Sequence, residues 1–374
     1  MSALQRWLEA KAEVLDARGL TRELRIRDAC SSVIDLAGND YLGLATDPRV
    51  VEAAVAAART WGTGATASRL VSGSTRLHEA LETALAKQLR MSGALVFSSG
   101  YLANLGVVTA LAGPDCLLVA DAHVHASLVD ACRLSRSPVV QVPHNDAAAV
   151  GAALAGREQR RALVLTESVF SVLGDAPPLT ELARLCADHD ATLLVDEAHG
   201  LGVTGDGRGS VAGADLAGVP HVVVTATLSK ALGSQGGVVA GSDALIRHLV
   251  SRARPFAFDT ALAPPAAGAA LAALDVLRTE SRHEQVRACA ARIADACGVP
   301  GAAGAVVSVP MPGPREAVWV AQDCLAQGLR VGAFRPPSVP DGISRLRITA
   351  RAGLGESDLD RACSVLTAVL ATRR

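Results

Sequence analysis

Short apolar runs alternate with helical patterns along the chain from about residue 75 to about residue 250. The runs are rich in Val, Leu and Ala, and polar residues or glycines soon follow each of them. They occupy residues 94–97, 116–120, 162–165, 192–195, 222–225 and 237–240. This alternation predicts an α/β fold in which helices cover both faces of a mostly parallel sheet.

Different patterns flank this region. Residues 3–18 have helical spacing, and the prolines within 261–265 begin a long Ala-rich helix. Apolar runs at 305–309 and 345–349 then precede a final helix. The predicted organisation is an N-terminal helix and arm at 1–45, a large domain at 46–255 and a smaller C-terminal α+β domain at 256–374, with a hinge at 254–260.

Polar side chains follow each of the first five runs. The run at 94–97 leads into serines, the next run leads into two histidines, and the following three lead to Glu167, Asp196 and Lys230. In an open α/β sheet, the ligand crevice lies outside the carboxyl ends of the strands. The pattern therefore predicts that five strands direct polar side chains towards one crevice.

Lys230 carries the most informative chemistry in this pattern. It follows a β-branched run and two hydroxyl residues, and glycines come a few residues after it. An amine at the end of a buried strand can hold an aldehyde cofactor as a Schiff base. An isolated lysine at a strand end is more often solvated, so the prediction depends on the residues around it.

Several neighbours suit an anionic aromatic cofactor. Gly100 and Tyr101 open a helical pattern, where backbone amides can bind phosphate, although an ordinary helix cap is the commoner outcome. Thr227 offers a further hydroxyl. Asp196 either caps the next segment or pairs with a protonated ring nitrogen, and His199 is close enough to share its pocket.

His123 and His125 point the same way if their segment is extended, and one of them could lie over an aromatic ligand. No histidine pair has the spacing of a zinc site, and no metal is predicted. The glycines at 205–209 do not open a helix directly after a strand, so they are a poor dinucleotide-binding motif, and the P-loop motif is absent from the sequence.

Composition narrows the function classes further. The chain has 374 residues, of which 50% are hydrophobic and 3% aromatic, and its formal net charge is −1. These values favour a packed core and disfavour nucleic acid or an anionic membrane as a partner. The eight cysteines are dispersed, which suits a reducing compartment, and no signal or membrane-spanning segment is evident. A cytoplasmic protein is predicted.

The polar motifs also occur in a known order. They are NDYLGL at 39–44, GYLAN at 100–104, HAS at 125–127, ESVFS at 167–171, DEAH at 196–199, GRG at 207–209 and TLSK at 227–230. Together they resemble the α-oxoamine synthases over almost the whole chain. That family consists of pyridoxal-phosphate enzymes of the aspartate-aminotransferase fold (fold type I), so the resemblance implies this fold and this cofactor.

The resemblance implies a role for each cofactor-binding residue. These residues are Gly100, Tyr101, His125, Ser171, Asp196, His199, Thr227 and Lys230. Lys230 bonds to the cofactor aldehyde, Asp196 pairs with the ring nitrogen and His125 stacks on the ring. His199 and Ser171 contact the side of the phenolic oxygen. The phosphate is held by Gly100, Tyr101 and Thr227. The implied catalytic residues are Lys230, His125, Asp196 and His199.

The resemblance also implies substrates and an assembly. The implied substrate-binding residues are Arg25, Asn39, His125, Arg347 and Thr349. The reaction implied is the condensation of L-alanine with a pimeloyl thioester of coenzyme A or a carrier protein, with loss of carbon dioxide. Lys230 then serves as general base for the Cα proton. The loop at 72–73 matches one that reaches the neighbouring subunit, which implies a homodimer.

Three alternatives remain. Other family members join glycine to acetyl- or succinyl-coenzyme A, or serine to a long acyl chain. Pyridoxal-phosphate decarboxylases and aminotransferases share the fold, but the motif order and the acyl-site arginine favour acyl transfer. A homologue that only binds partners would have no reason to keep Lys230, Asp196 and His125 together.

Overall fold

The computed structural model of the protein describes residues 1–22, 24, 26–29 and 31–372. Its helices are α1 (Ala3–Ala17), α2 (Pro48–Trp61), α3 (Arg76–Leu89), α4 (Gly100–Leu111), α5 (Ala126–Ser135), α6 (Ala147–Ala155), α7 (Leu179–Asp188), α8 (Ser210–Gly213), α9 (Asp243–Arg252), α10 (Arg254–Ala257), α11 (Pro264–Thr279), α12 (Arg282–Cys297), α13 (Pro314–Ala326) and α14 (Glu356–Ala371). Its strands are β1 (Ile34–Asp35), β2 (Gly93–Phe97), β3 (Cys116–Asp121), β4 (Val139–Val142), β5 (Arg161–Glu167), β6 (Thr192–Asp196), β7 (Val222–Thr227), β8 (Gly237–Gly241), β9 (Val306–Pro310), β10 (Leu329–Arg330), β11 (Gly332–Phe334) and β12 (Arg345–Thr349).

The central sheet has the strand order β2-β8-β7-β6-β5-β3-β4. Strands β3 to β7 run parallel, and β8 is antiparallel to both of its neighbours. The prediction of a mostly parallel sheet is confirmed, and each of the six predicted runs lies within a strand. The sequence patterns did not reveal β4, because this short edge strand buries only Val142 and therefore has no apolar run comparable to the others.

Helices cover both faces of this sheet. Side chains of a strand alternate between the two faces, so Leu194 joins one apolar core while Leu193 and Val195 join the other. The first core packs against α4, α5, α9 and α10, and the second packs against α3, α6, α7 and α11. This double burial explains why the central strands are almost continuously apolar.

The C-terminal part contains a separate antiparallel sheet in the order β11-β12-β9. Helices α12 and α13 pack against it, and α14 packs against both of these helices. A two-residue parallel pairing of β1 with β10 joins the N-terminal arm to this part. Helix α10 occupies most of the predicted hinge, and α11 packs on α2 and α3. The domain limits remain a prediction, and none of the described helices is long and apolar enough to cross a bilayer.

Candidate active site

The carboxyl ends of β5, β6 and β7 meet at one edge of the central sheet. These strands end at Glu167, Asp196 and Thr227, which are all buried. The three residues line a cavity of about 230 Å3 together with the start of α4. The cavity is also lined by Gly100, Tyr101, Asn104, His125, His199 and Lys230. The predicted convergence of polar residues in one crevice therefore exists in the structure.

Lys230 lies at the end of a buried hydrogen-bond chain. Its Nζ is 2.8 Å from Nε2 of His199, and the hydroxyl of Tyr41 is 2.6 Å from Nδ1 of the same ring. Burial lowers the pKa of Lys230 to about 8, although the negative charge of Asp196 opposes this shift. Burial and the Lys230 charge hold the pKa of His199 well below its usual range, so this imidazole is neutral.

Asp196 is held by two donors. Its carboxylate accepts from Nδ2 of Asn104 at 2.7 Å and from the backbone amide of Ala198 at 2.9 Å. Nδ2 of Asn104 also donates to the hydroxyl of Ser127 at 2.8 Å, and that hydroxyl is 2.7 Å from Nδ1 of His125. Asn104 therefore connects Asp196 with His125, a role that its place in the GYLAN motif alone did not reveal.

Glu167 is a second buried acid in the same cavity. One carboxylate oxygen accepts from the backbone amide of Ser171 at 3.0 Å, and the other has no partner among the described residues. Burial, followed by the negative charge of Asp196, raises the pKa of Glu167 to about 8. The sequence patterns assign Glu167 no role, although it stands at the end of an apolar run and opens the ESVFS motif.

The start of α4 forms a narrow cradle. A Cβ on Gly100 would lie 3.0 Å from the Cβ of Thr227, and one on Gly237 would lie 2.2 Å from the carbonyl oxygen of Ser99. The first amides of a helix have no acceptor within the helix, and they carry partial positive charge. The cavity thus combines an anion cradle, a buried amine and a buried carboxylate, which together fit pyridoxal phosphate.

Tyr101 occupies the outer edge of this cradle. Its hydroxyl donates to Asp130 at 2.5 Å, and its side chain is partly exposed. Both the backbone amide and the ring are therefore available at the entrance of the cavity.

A larger cavity of about 460 Å3 adjoins the first. Lys230, His125 and His199 line both cavities. Asn39, His123, Ser171, Phe334 and Arg347 line only the larger one. The structure therefore brings Asn39 and Arg347 to Lys230, although about 300 residues of sequence separate them from each other.

Arg347 is buried but meets no carboxylate among the described residues. Its Nε donates to the carbonyl of Ser171 at 2.5 Å, and its two terminal nitrogens lie 3.1 Å from Oδ1 of Asn39. Thr349 instead donates its hydroxyl to the carbonyl of Gly38 at 2.5 Å and lines neither cavity. Arg25 lies outside the described residues.

Comparisons with known proteins agree with this geometry. Residues 31–366 match the family described as aminotransferase class I and II. The chain is 57% identical over 367 residues to an 8-amino-7-oxononanoate synthase of Mycolicibacterium gilvum (strain PYR-GCK), covering 97% of each chain. It is 58% identical over 371 residues to the enzyme of that name from Mycobacterium sp. (strain JLS), covering 98% of this chain and 97% of the relative. Its structure is similar to that of a serine palmitoyltransferase from S. paucimobilis with a bound PLP–myriocin aldimine, with a TM-score of 0.92, 28% identity and coverage of 100% and 99%.

Proposed function

The chain belongs to the class I and II aminotransferase family, and we propose that it makes 8-amino-7-oxononanoate from L-alanine and a pimeloyl thioester. It is a pyridoxal-phosphate-dependent acyltransferase of the biotin pathway. The observation that carries the proposal is its likeness to synthases of this name, which extends over 97% of both chains at 57% identity. The buried Lys230 amine beside an acid and an anion cradle supports the same reaction class.

The residues of the smaller cavity would hold the cofactor. Lys230 would bind its aldehyde, Asp196 its ring nitrogen and His125 its ring face. Backbone amides at the start of α4 and the hydroxyl of Thr227 would bind its phosphate. When bound, pyridoxal phosphate supplies an aldehyde for the amine and an aromatic ring that accepts the electron pair released at Cα of the amino acid.

His199 and Ser171, which lines the larger cavity, would complete this set on the side of the phenolic oxygen. The backbone amide of Ser171 donates to Glu167, which fixes the position of the loop that follows β5. The neutral ring of His199 is held by the Tyr41 hydroxyl at 2.6 Å, so its other nitrogen stays beside Lys230. These contacts keep the polar groups in place before any ligand binds.

Lys230 is also the proposed general base. With its pKa lowered to about 8, a fraction of the amine is neutral near pH 7 and can accept the Cα proton of alanine. The hydrogen bond to neutral His199 orients this amine. After carbon dioxide leaves, Lys230 returns a proton to the same carbon.

Arg347 and Asn39 are the proposed binding site for the carboxylate of alanine. Arg347 is only 3% exposed, and a buried guanidinium without a counter-ion is costly. A substrate carboxylate would supply the missing negative charge, and the guanidinium geometry favours two parallel hydrogen bonds. We therefore expect Arg347→Gln to raise the KM for alanine much more than the KM for the thioester.

A thiol-release assay tests the proposed reaction. Alanine, glycine and serine are each combined with pimeloyl-, acetyl-, succinyl- and palmitoyl-coenzyme A, and the products are identified by mass. We expect the highest kcat/KM with alanine and pimeloyl-coenzyme A, and a product with the mass of 8-amino-7-oxononanoate. Preference for glycine with acetyl-coenzyme A, or for serine with palmitoyl-coenzyme A, would show that the proposal is wrong.

We also propose a cytoplasmic homodimer. Val71 is 81% exposed and Phe258 is 74% exposed, and a β-bridge between Ser68 and Thr260 holds their two segments side by side. Exposed apolar side chains that lie together are typical of a protein interface. Light scattering of the purified protein should give the mass of two chains, and Val71→Glu should shift the equilibrium towards one chain.

A further inference from the structure

The larger cavity beside Lys230 has several basic residues in its wall. They are His123, His125, Arg133, His199, Lys230 and Arg347. Four of them already have proposed roles, three with the cofactor and one with the carboxylate of alanine. Arg133 is exposed and pairs with Asp130 at 3.1 Å. His123 is the remaining one, and Nδ1 of its ring is buried without a hydrogen-bond partner within the described part of the chain.

The carboxylate of Asp121 fixes the segment that carries His123. It accepts from the backbone amide of His123 at 2.7 Å, and it is 2.9 Å from Nδ1 of His144. Nε2 of His144 is 2.9 Å from the carboxylate of Asp175, and the ring centroids of His144 and His123 are 4.5 Å apart. His123 is therefore packed against a ring that two carboxylates hold in place.

The same neighbours decide the protonation of His123. Burial opposes a charge on His144, but its bonds to Asp121 and Asp175 raise its pKa to about 9, so this ring is charged near pH 7. Burial and the positive charge of His144 lower the pKa of His123, which is therefore neutral and has a single N–H. A proton on the buried Nδ1 would have no acceptor, so the N–H lies on Nε2, the nitrogen that remains for contact with the cavity.

His123 lies away from the cofactor residues. Lys230 lines both cavities, whereas His123 lines only the larger one. Its charged neighbours include Asp341 and Arg345, which form an ion pair with each other, and Arg345 comes two residues before Arg347 on β12. Residues two positions apart on a strand share a face and are separated by about 7 Å. An acyl chain that reacts beside Lys230 would thus reach His123 only after several methylene groups.

We propose that His123 sets the specificity for the acyl chain by donating a hydrogen bond from Nε2 to the terminal carboxylate of the pimeloyl group. The inference rests on the proposed function, because it concerns how that site would recognise its thioester. The apolar side chains of Phe170, Leu173 and Phe334 in the same wall suit the methylene groups. A carboxylate that enters such a cavity needs a donor, and hydrogen bonds to charged groups are the stronger ones.

The test compares two thioesters of equal chain length. Pimeloyl-coenzyme A ends in a carboxylate, whereas heptanoyl-coenzyme A ends in a methyl group. Wild type and His123→Leu are assayed as holoenzymes with L-alanine. The substitution should raise the KM for pimeloyl-coenzyme A about tenfold, the order expected for one hydrogen bond to a charged group, with little change in kcat. The KM for heptanoyl-coenzyme A should not rise.

Two further variants separate the hydrogen bond from the fold. His123→Gln keeps an N–H donor near the position of Nε2, so it should restore much of the preference for the pimeloyl group. His248 is exposed on α9 and lines neither cavity, so His248→Leu removes an imidazole elsewhere and should leave both KM values unchanged.

Other results would overturn the inference. These are equal KM values for pimeloyl-coenzyme A in wild type and His123→Leu, or an equal rise in KM for both thioesters, which would indicate a general distortion. If the wild type consumed no pimeloyl thioester with any amino acid, the proposed function would fail. Titration calorimetry with the two thioesters, without amino acid, would still test His123, because tighter binding of pimeloyl-coenzyme A should disappear in His123→Leu. Equal affinities of the wild type for both thioesters would refute its role.

Discussion

Asn104 offers a sharp test of how the active site is held together. Its side-chain oxygen accepts from the hydroxyl of Thr225 at 2.6 Å, and its nitrogen donates to Asp196 at 2.7 Å and to Ser127 at 2.8 Å. The residue is only 2% exposed, so water cannot replace these partners. Asn104→Leu keeps a similar volume and removes all three hydrogen bonds.

The expected cost follows from the partners that lose a bond. The Thr225 hydroxyl is left buried without its acceptor, and the Asp196 carboxylate keeps only the amide of Ala198. A buried polar group without a partner costs about 1–3 kcal/mol, and a hydrogen bond to a charged group contributes about 1.5–3 kcal/mol. We therefore expect the free energy of unfolding of the cofactor-free protein to fall by about 3–5 kcal/mol.

Urea unfolding of the cofactor-free protein measures this change, with Thr225→Val as the matched control. The control removes only one of the three bonds, so it should cost about 1–2 kcal/mol. The double variant should cost less than the sum of the single variants, because both remove the same hydrogen bond. A loss below about 1 kcal/mol in Asn104→Leu, or strictly additive losses, would refute this account.

Three further predictions concern other polar groups. Lys230→Ala should lower the rate of thiol release by at least about 10²-fold, with partial recovery on adding a small primary amine, and undiminished turnover would contradict its role as base. Tyr41→Phe removes the hydroxyl 2.6 Å from His199 and should reduce the free energy of unfolding by about 1–3 kcal/mol, which thermal unfolding would detect. Burial alone would lower the pKa of His144, but its bonds to Asp121 and Asp175 raise it from 6.5 to about 9. The resulting stabilisation is complete below pH 6.5 and is lost as the pH rises through about 9, so the wild type should lose more Tm over this range than His144→Gln, and parallel curves would exclude the effect.

Much of the central sheet could be predicted from the sequence, because its strands are buried on both faces. Double burial requires nearly continuous apolar residues, and that signal is local. The polar residue at each strand end is also visible locally, which is how Asp196 and Lys230 were found. The edge strand β4 lacked this signal, since only one of its residues is buried.

The connections within the active site could not be predicted in this way. Tyr41 and Arg347 reach His199 and Ser171 only because the N-terminal arm and β12 fold back against the segments that follow β6 and β5. The link from Asn104 to Asp196 depends on the angle at which α4 leaves the sheet. None of these contacts leaves a periodic pattern in the chain.

The sequence by itself therefore determined the sheet, the positions of its polar strand ends and, through the ordered motifs, the expected cofactor. Only the tertiary structure decided which buried groups share hydrogen bonds and that Arg347 has no carboxylate beside it within the described residues. The physical reason is the distance along the chain over which each effect acts. Burial and strand period act between neighbouring residues, whereas hydrogen bonds and charge balance depend on groups that come together only after the chain has folded.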